Sequence, residues 1–483
     1  MPFQLHHLSA VEQVDWLRRG DVRPTELAAH YLDRIVRLDE AIGAFVEVTA
    51  DAALERAAAL ERAGGRAAPL WGLPMADKDL VARAGVPTRY GSRLMAGFVP
   101  EVSDALVEVV DAAGAVNLGK TSTPEFGFPS YTEPLLGPRT RTPWDLSRGA
   151  GGSSGGAAAA VAAGLLPVAI GSDGGGSIRI PAAACGLVGL KPSRGRVPAH
   201  GGQRALAGLA TSGPIARTVA DAALVLDALT ALPQRPGPIA GSDPGAAWAT
   251  VPPTWDGGPY LGAAVRGEGR FQVGVTTDSP WATQYDVAVS PAARSALELA
   301  IAELAALGHG IEEASLPPDA DYVRAFRTVW QSSAAGIPAE GDALELVEPL
   351  TRWLILEGRK RSAAELAWAL QSLAAFEERT IAALAGYDAV LMPTLAVPPP
   401  LLGWYDAEDG ERNFAQQVEV TPWTSWVNVT GLPAIQLPVH WTADGLPMGV
   451  QLVGRPGGEH VVLAIGAQLE RRLMWQRRHP SMW

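Results

Sequence analysis

After Pro24, apolar residues recur at Leu27, Ala28, Tyr31, Leu32, Ile35 and Leu38, a helical spacing that predicts an amphipathic helix. Just ahead of it, Ser9 and Glu12 fit a capping box, in which each side chain satisfies a free amide at a helix start. Val102 to Gly114 and Pro291 to Leu307 read as further helices, and a long helical stretch spans about Glu340 to Leu384. Short apolar runs separate them: Ala115–Leu118, Pro167–Gly171, Gly186–Lys191, Phe271–Thr276, Ala389–Met392, Ala434–Val439 and Met448–Val453. Such runs are strands buried on both faces, and their alternation with helices predicts α/β architecture. The first hundred residues read as helices with one buried strand-like element. From Pro233 to Gly269 the chain turns to Pro, Gly, Asp and Trp without periodicity, which predicts a surface excursion or linker. Because alternation resumes beyond it, residues 1–483 are expected to form one large domain.

Composition narrows the classes. With 47% hydrophobic residues among 483, the chain can bury a large core and is not disordered as a whole. Its 39 Lys+Arg against 51 Asp+Glu give a net charge of −12, which disfavours a phosphate backbone as partner. Gly149 to Ser172 is uncharged, but its apolar part, Ala157 to Gly171, is alanine-rich and contains Pro167. A membrane span needs about 20 strongly apolar residues, so a buried helix followed by a buried strand is expected instead. Met1 to Gly20 lacks the basic start and apolar stretch of a secretory signal, and the single Cys185 permits no internal disulfide. Both fit a cytoplasmic protein.

The densest chemical signal is Gly151-Gly152-Ser153-Ser154-Gly155-Gly156, followed by Gly171-Ser172-Asp173-Gly174-Gly175-Gly176-Ser177-Ile178-Arg179. Three glycines before a serine can form an anion-binding nest with a hydroxyl at its end, as acyl transfer requires. A flexible turn between buried elements gives the same letters. A serine nucleophile needs a base, and of eight histidines only His200, His440 and His460 are candidates by position. No Gly-x-Ser-x-Gly elbow supports a histidine triad. Lys78, in the apolar segment Leu73 to Leu80, offers another base, because burial lowers a lysine's pKa. The alternative is a lysine held charged by Asp77 or Asp79.

Together these residues resemble the amidase signature family of serine hydrolases. The resemblance is close from Gly72 to Pro198 and continues through Cys185-Gly186 and Gly189-Leu190-Lys191-Pro192. It implies a single large mixed, twisted β-sheet covered by helices on both faces, with residues 72–220 as the catalytic core. It further implies a Ser-cisSer-Lys triad in which Lys78 is the base, Ser153 the bridging serine and Ser177 the nucleophile. The amides of Gly174, Gly175, Gly176 and Ser177 would form the oxyanion hole. Ser154 would supply a supporting hydroxyl, and Asp173 and Arg179 would brace the loop as a pair. The family commonly has a threonine or another side chain where this chain has Gly174. No cofactor or metal is implied, and the expected substrate is a small amide, ester or carbamate. Phe126, Trp423 and Trp426 are candidates for the substrate pocket, with core packing as the alternative for either tryptophan. A homodimer is the default for a soluble enzyme.

Two competing readings remain. The family also contains a glutamine-hydrolysing amidotransferase subunit, whose pattern has Asp-Glu-Phe where this chain reads Ser122-Thr123-Pro124-Glu125-Phe126-Gly127, as in free-standing amidases. Gly114 to Thr121 matches the phosphate-loop pattern G-x-x-x-x-G-K-[ST]. That mechanism needs strand, loop, then helix. Here a helix precedes Gly114 and a strand follows, so Gly114 is expected to end a helix and nucleotide binding is not favoured. Cys185, inside an apolar run, is expected to be a buried structural thiol.

Overall fold

The computed structural model describes residues 4–197, 205–230 and 258–483. Its strands are β1 (Phe45–Val48), β2 (Pro74–Lys78), β3 (Val116–Thr121), β4 (Arg141–Thr142), β5 (Asp145–Gly149), β6 (Val168–Asp173) and β7 (Val188–Lys191). They continue with β8 (Thr211–Ala216), β9 (Gln272–Val275), β10 (Gly310–Glu313), β11 (Ala389–Pro393), β12 (Ala434–Trp441) and β13 (Pro447–Gly454). Eight form one mixed sheet in the order β10-β9-β11-β13-β12-β7-β8-β6. β9 runs parallel to both β10 and β11, and every other pairing is antiparallel. Parallel neighbours need long crossovers, here the helix Pro291–Ala306 between β9 and β10 and the helices from Tyr322 to Leu384 before β11. β1, β3 and β2 make a small separate sheet, and β2 packs beside β6 at the end of the large one.

Both faces of the large sheet are buried, and strand alternation does the sorting. Val168 and Ile170 of β6 enter one core with the helices Val219–Thr230 and Glu459–Leu473, while Ala169 enters another with Pro24–Ile42 and Gly155–Ala162. On β11, Ala389 and Leu391 face the first core, and Val390 and Met392 face a third built on Tyr322–Ala335 and Ala363–Leu384. The helix Gly155–Ala162 is buried along its whole length. A Cβ on Gly156 would lie 2.3 Å from the Ser122 nitrogen and 2.5 Å from the Ala44 carbonyl oxygen. Only small residues let this helix sit so close to other backbone, and its start carries Ser153 and Ser154. Together with β6 it realises the helix-then-strand reading of the uncharged stretch. Among the described residues no helix is long and apolar enough to cross a membrane.

Several boundaries differ from the periodicity. The Ser9–Glu12 capping box is present, with Ser9 accepting the Glu12 amide at 3.2 Å and Glu12 accepting the Ser9 amide at 2.7 Å. The stretch from Glu340 to Leu384 is broken into a short 3₁₀ turn and the helices Pro349–Arg359 and Ala363–Leu384. Pro349 starts the first of these helices, and Ser362 with Glu365 caps the second. The first hundred residues hold two strands, β1 and β2, rather than one. β8 escapes a reading by composition because Gly213-Pro214 looks like a turn. In fact a Cβ at Gly213 would come within 2.2 Å of the Leu190 oxygen, so glycine there permits close strand contact. Residues 233–257 of the expected excursion lie outside the described residues. Its far end is not loose surface: Tyr260–Arg266 is a helix with Tyr260, Ala263 and Ala264 buried. Asp227 anchors its start by accepting the amides of Tyr260 and Leu261 at 2.7 and 2.8 Å. Two turns are too few for a periodic signal.

Candidate active site

Lys78 ends β2 with 1% of its surface exposed. In an extended segment neighbouring side chains diverge, and both flanking aspartates turn elsewhere. Asp77 pairs with Arg83 at 2.6 Å, and the Asp79 carboxylate accepts the Arg89 amide at 3.1 Å. The alternative of a lysine held charged by Asp77 or Asp79 is therefore not what the geometry shows. Its Nζ donates instead to Ser153 Oγ at 2.7 Å and Ser172 Oγ at 3.0 Å. Burial pulls the Lys78 pKa down to about 7, against a smaller upward pull from the Asp173 charge. A neutral amine bonded to a serine hydroxyl can take a proton from it.

Ser153 follows a cis peptide bond, Gly152–Ser153. The tight approach there requires glycine: a Cβ on Gly152 would lie 2.7 Å from Tyr131 backbone. Thr123 Oγ1 holds the Ser153 carbonyl at 3.0 Å. Ser154 ties the serines together, because its amide donates to the Ser177 carbonyl at 3.2 Å and its Oγ accepts the Ser172 amide at 3.3 Å. Ser172 itself is the residue that sequence reasoning missed. On β6 it alternates with Asp173, so one faces Lys78 and the other faces Arg179. Since Ser172 is an acceptor for Lys78, Ser172→Ala should shift the basic limb of kcat/KM to lower pH while leaving turnover measurable. An unmoved limb would show that the contact does not tune Lys78.

Ser177 lies at the end of the glycine run with 8% of its surface exposed. Asp173 and Arg179, at either end of the run, form an ion pair in which both side chains are fully buried. Arg179 contacts Asp173 through Nε and a terminal nitrogen, both at 3.0 Å, and also reaches Gln451 at 2.8 Å and Asn428 at 2.7 Å. Burial alone would raise the Asp173 pKa, but the Arg179 charge and hydrogen bonds, with Lys191 and Asn428, hold it at about 2. One expected oxyanion donor is corrected here: the Gly176 amide donates to Asp173 Oδ1 at 2.7 Å, fixing the loop rather than facing a ligand. Gly176 also has φ +132, and a Cβ there would strike Ile180 and Thr424 at 2.5 Å.

The tryptophans are corrected too. Trp423 and Trp426 are completely buried in the third core, and Trp423 donates to the Thr277 carbonyl at 3.0 Å. Their segment does reach the glycine run, but through Thr424, whose Oγ1 donates to the Gly175 carbonyl at 2.6 Å. Trp426→Ala should therefore cost about 3–5 kcal/mol of stability, read from denaturant midpoints, with no reordering of substrate preference. Phe126 is half-buried at φ +50, with its ring 6.2 Å from that of Tyr90. The phosphate-loop match has a packing explanation. Lys120 is buried in β3 and donates to the Val81 carbonyl, and a Cβ on Gly119 would meet the Glu47 oxygen at 2.1 Å. Gly114, at φ +89, follows the helix Ala105–Ala112 as expected. Cys185 is buried, and burial pushes its thiol up to about 12. Of the histidines, His6 bonds His30, His309 bonds Phe271 and Gln468, His440 lies on β12, and His200 is outside the described residues.

Residues 26–463 match the Amidase family. AmiB2 of Mycobacterium tuberculosis is 39% identical over 489 residues, covering 100% of this chain and 99% of that protein. The solved structure of 6-aminohexanoate cyclic dimer hydrolase is 31% identical with a TM-score of 0.88, over 99% of this chain and 100% of that one. A glutamyl-tRNA(Gln) amidotransferase subunit of Moorella thermoacetica is 35% identical over 507 residues, covering 99% of each. The chain belongs to the amidase signature family, enzymes acting on amide bonds.

Proposed function

We propose that this protein hydrolyses a small carboxylic amide through an acyl-enzyme on Ser177. The observation that carries the reading is the buried Lys78 amine, turned from both aspartates and bonded to Ser153. As Ser177 Oγ attacks the acyl carbon, its proton passes to Ser153, whose own proton passes to Lys78. The amides of Gly174, Gly175 and Ser177 receive the oxyanion, a contact worth on the order of 3 kcal/mol per donor. Lys78 then returns the proton through Ser153 to the departing amine. Water enters along the same relay in reverse and releases the acid. Esters and carbamates present the same carbonyl to the same donors, so the reading extends to them. Free-standing hydrolysis, rather than ammonia transfer within a complex, is supported by Ser122-Thr123-Pro124 in place of the amidotransferase pattern.

The test is turnover by the purified chain alone on matched p-nitroanilide, ester and carbamate substrates, with and without a fluorophosphonate. The expected result is anilide cleavage abolished by the fluorophosphonate. Turnover that survives complete labelling would contradict the serine mechanism.

A further inference from the structure

The glycines before Ser177 have an aromatic neighbour that the mechanism does not use. A Cβ on Gly174 would meet Trp330 Cη2 at 3.7 Å, and one on Gly175 would meet Trp330 and Phe326 at 3.9 Å. Both glycines and Trp330 are partly exposed, so this edge of the nest is open to a ligand. Phe326 stacks on Trp330 with centroids 5.6 Å apart and planes at 19°, and Phe128 meets the indole edge-on at 5.5 Å and 88°. Phe126, Phe128 and Trp330 pack against one apolar cluster with Leu94 and Leu344. Gly127, between the two phenylalanines, comes so close to the relay that a Cβ on it would lie 3.3 Å from Ser153 Oγ.

We infer that Trp330, seated against the bare edge of Gly174 and Gly175, is the specificity-determining wall of the acyl subsite and selects flat aromatic or alicyclic acyl groups. This inference rests on the acyl-enzyme reading. The leaving nitrogen must lie on the Ser153 side, where its proton arrives, which is the side of Gly127. The carbonyl oxygen is held by the glycine amides, and Trp330 lines the open edge of those same glycines, so the indole is the apolar face offered to the acyl substituent beside that oxygen. The indole offers that substituent a rigid apolar face, with Phe326 behind it and Phe128 across its edge. Gly174 is the complementary half. A Cβ there would already be in contact with the indole, so the further atoms of a threonine would occupy the space the acyl ring needs.

The experiment compares kcat/KM for acetyl, butyryl, cyclohexanecarbonyl and benzoyl p-nitroanilides in wild type, Trp330→Ala, Trp330→Phe and Gly174→Thr. Each variant is first titrated with a fluorophosphonate, and its melting temperature is recorded. The wild type is expected to favour the two ring acyl groups at least tenfold over acetyl. Trp330→Ala should remove most of that preference while acetyl rates change less than threefold, Trp330→Phe should retain part of it, and Gly174→Thr, which alters an oxyanion donor, should lower the ring-to-acetyl ratio whatever its overall rate. Equal losses on all four substrates, or a wild type without ring preference, would overturn the subsite assignment. Absence of labelling at Ser177 in the wild type would instead overturn the hydrolase reading itself, so the two failures are distinguishable.

Discussion

Lys78→Ala is expected to lower kcat/KM for amides by about 10²–10⁴-fold, the range that a positioned general base contributes. In the wild type the rate should rise with pH and level off above about 7, where buried Lys78 becomes neutral. The variant should lack that limb. Ester hydrolysis should suffer less, because an alkoxide needs less protonation than an amine to depart. Lys78→Arg should not rescue, since the guanidinium stays charged. Stability at this site should also rise with pH, over a higher range. The fold disfavours the buried ammonium, so this site's contribution rises as pH climbs from about 7 toward the unfolded lysine value of about 10.4. Lys78→Met should accordingly be at least as stable as wild type near neutral pH. The checks are paired pH profiles on a matched anilide and ester, and urea midpoints at two pH values.

Arg179→Ala is expected to cost about 3–5 kcal/mol of stability, because it leaves the Asp173 carboxylate charged and buried without its partner. Amide turnover should fall with it, since Asp173 also fixes the Gly176 and Ile178 amides at 2.7 and 3.2 Å. Arg179→Lys should recover little, because an ammonium cannot reproduce contacts to Asp173, Gln451 and Asn428 at once. The pH sign follows from the lowered Asp173 pKa. The pair's contribution is complete above the ordinary carboxylate value of about 3.9 and is lost as pH falls toward about 2. Urea midpoints from pH 7 down to pH 3 for wild type and Arg179→Ala measure both effects; a small, pH-independent difference would mean the pair is dispensable.

What was legible in the sequence is what depends on period and local chemistry. Alternation along an extended segment turns Asp77 and Asp79 from Lys78, and the same alternation buries both faces of β6 and β11. Capping chemistry marks the helix start at Ser9, whereas at Ser362 apolar periodicity runs on across the break and masks the same signal. Other features depend on distant chain. Trp423 and Trp426 sit among turn-like residues, and nothing nearby says that they point into a core built by the helices Tyr322–Ala335 and Ala363–Leu384. The Gly176 amide reads as free in the sequence because its partner, the Asp173 side chain, reaches forward three residues. Trp330 lies more than 150 residues from the glycines that it neighbours, and no local pattern announces such proximity.

The most direct test of the central claim is to mix the protein with a slowly deacylating p-nitrophenyl ester, quench within one turnover, and locate the retained acyl group by peptide mass spectrometry. The account predicts one acyl group per chain, attached at Ser177 and absent from Ser177→Ala. An acyl group on any other residue, or steady turnover by Ser177→Ala, would contradict it.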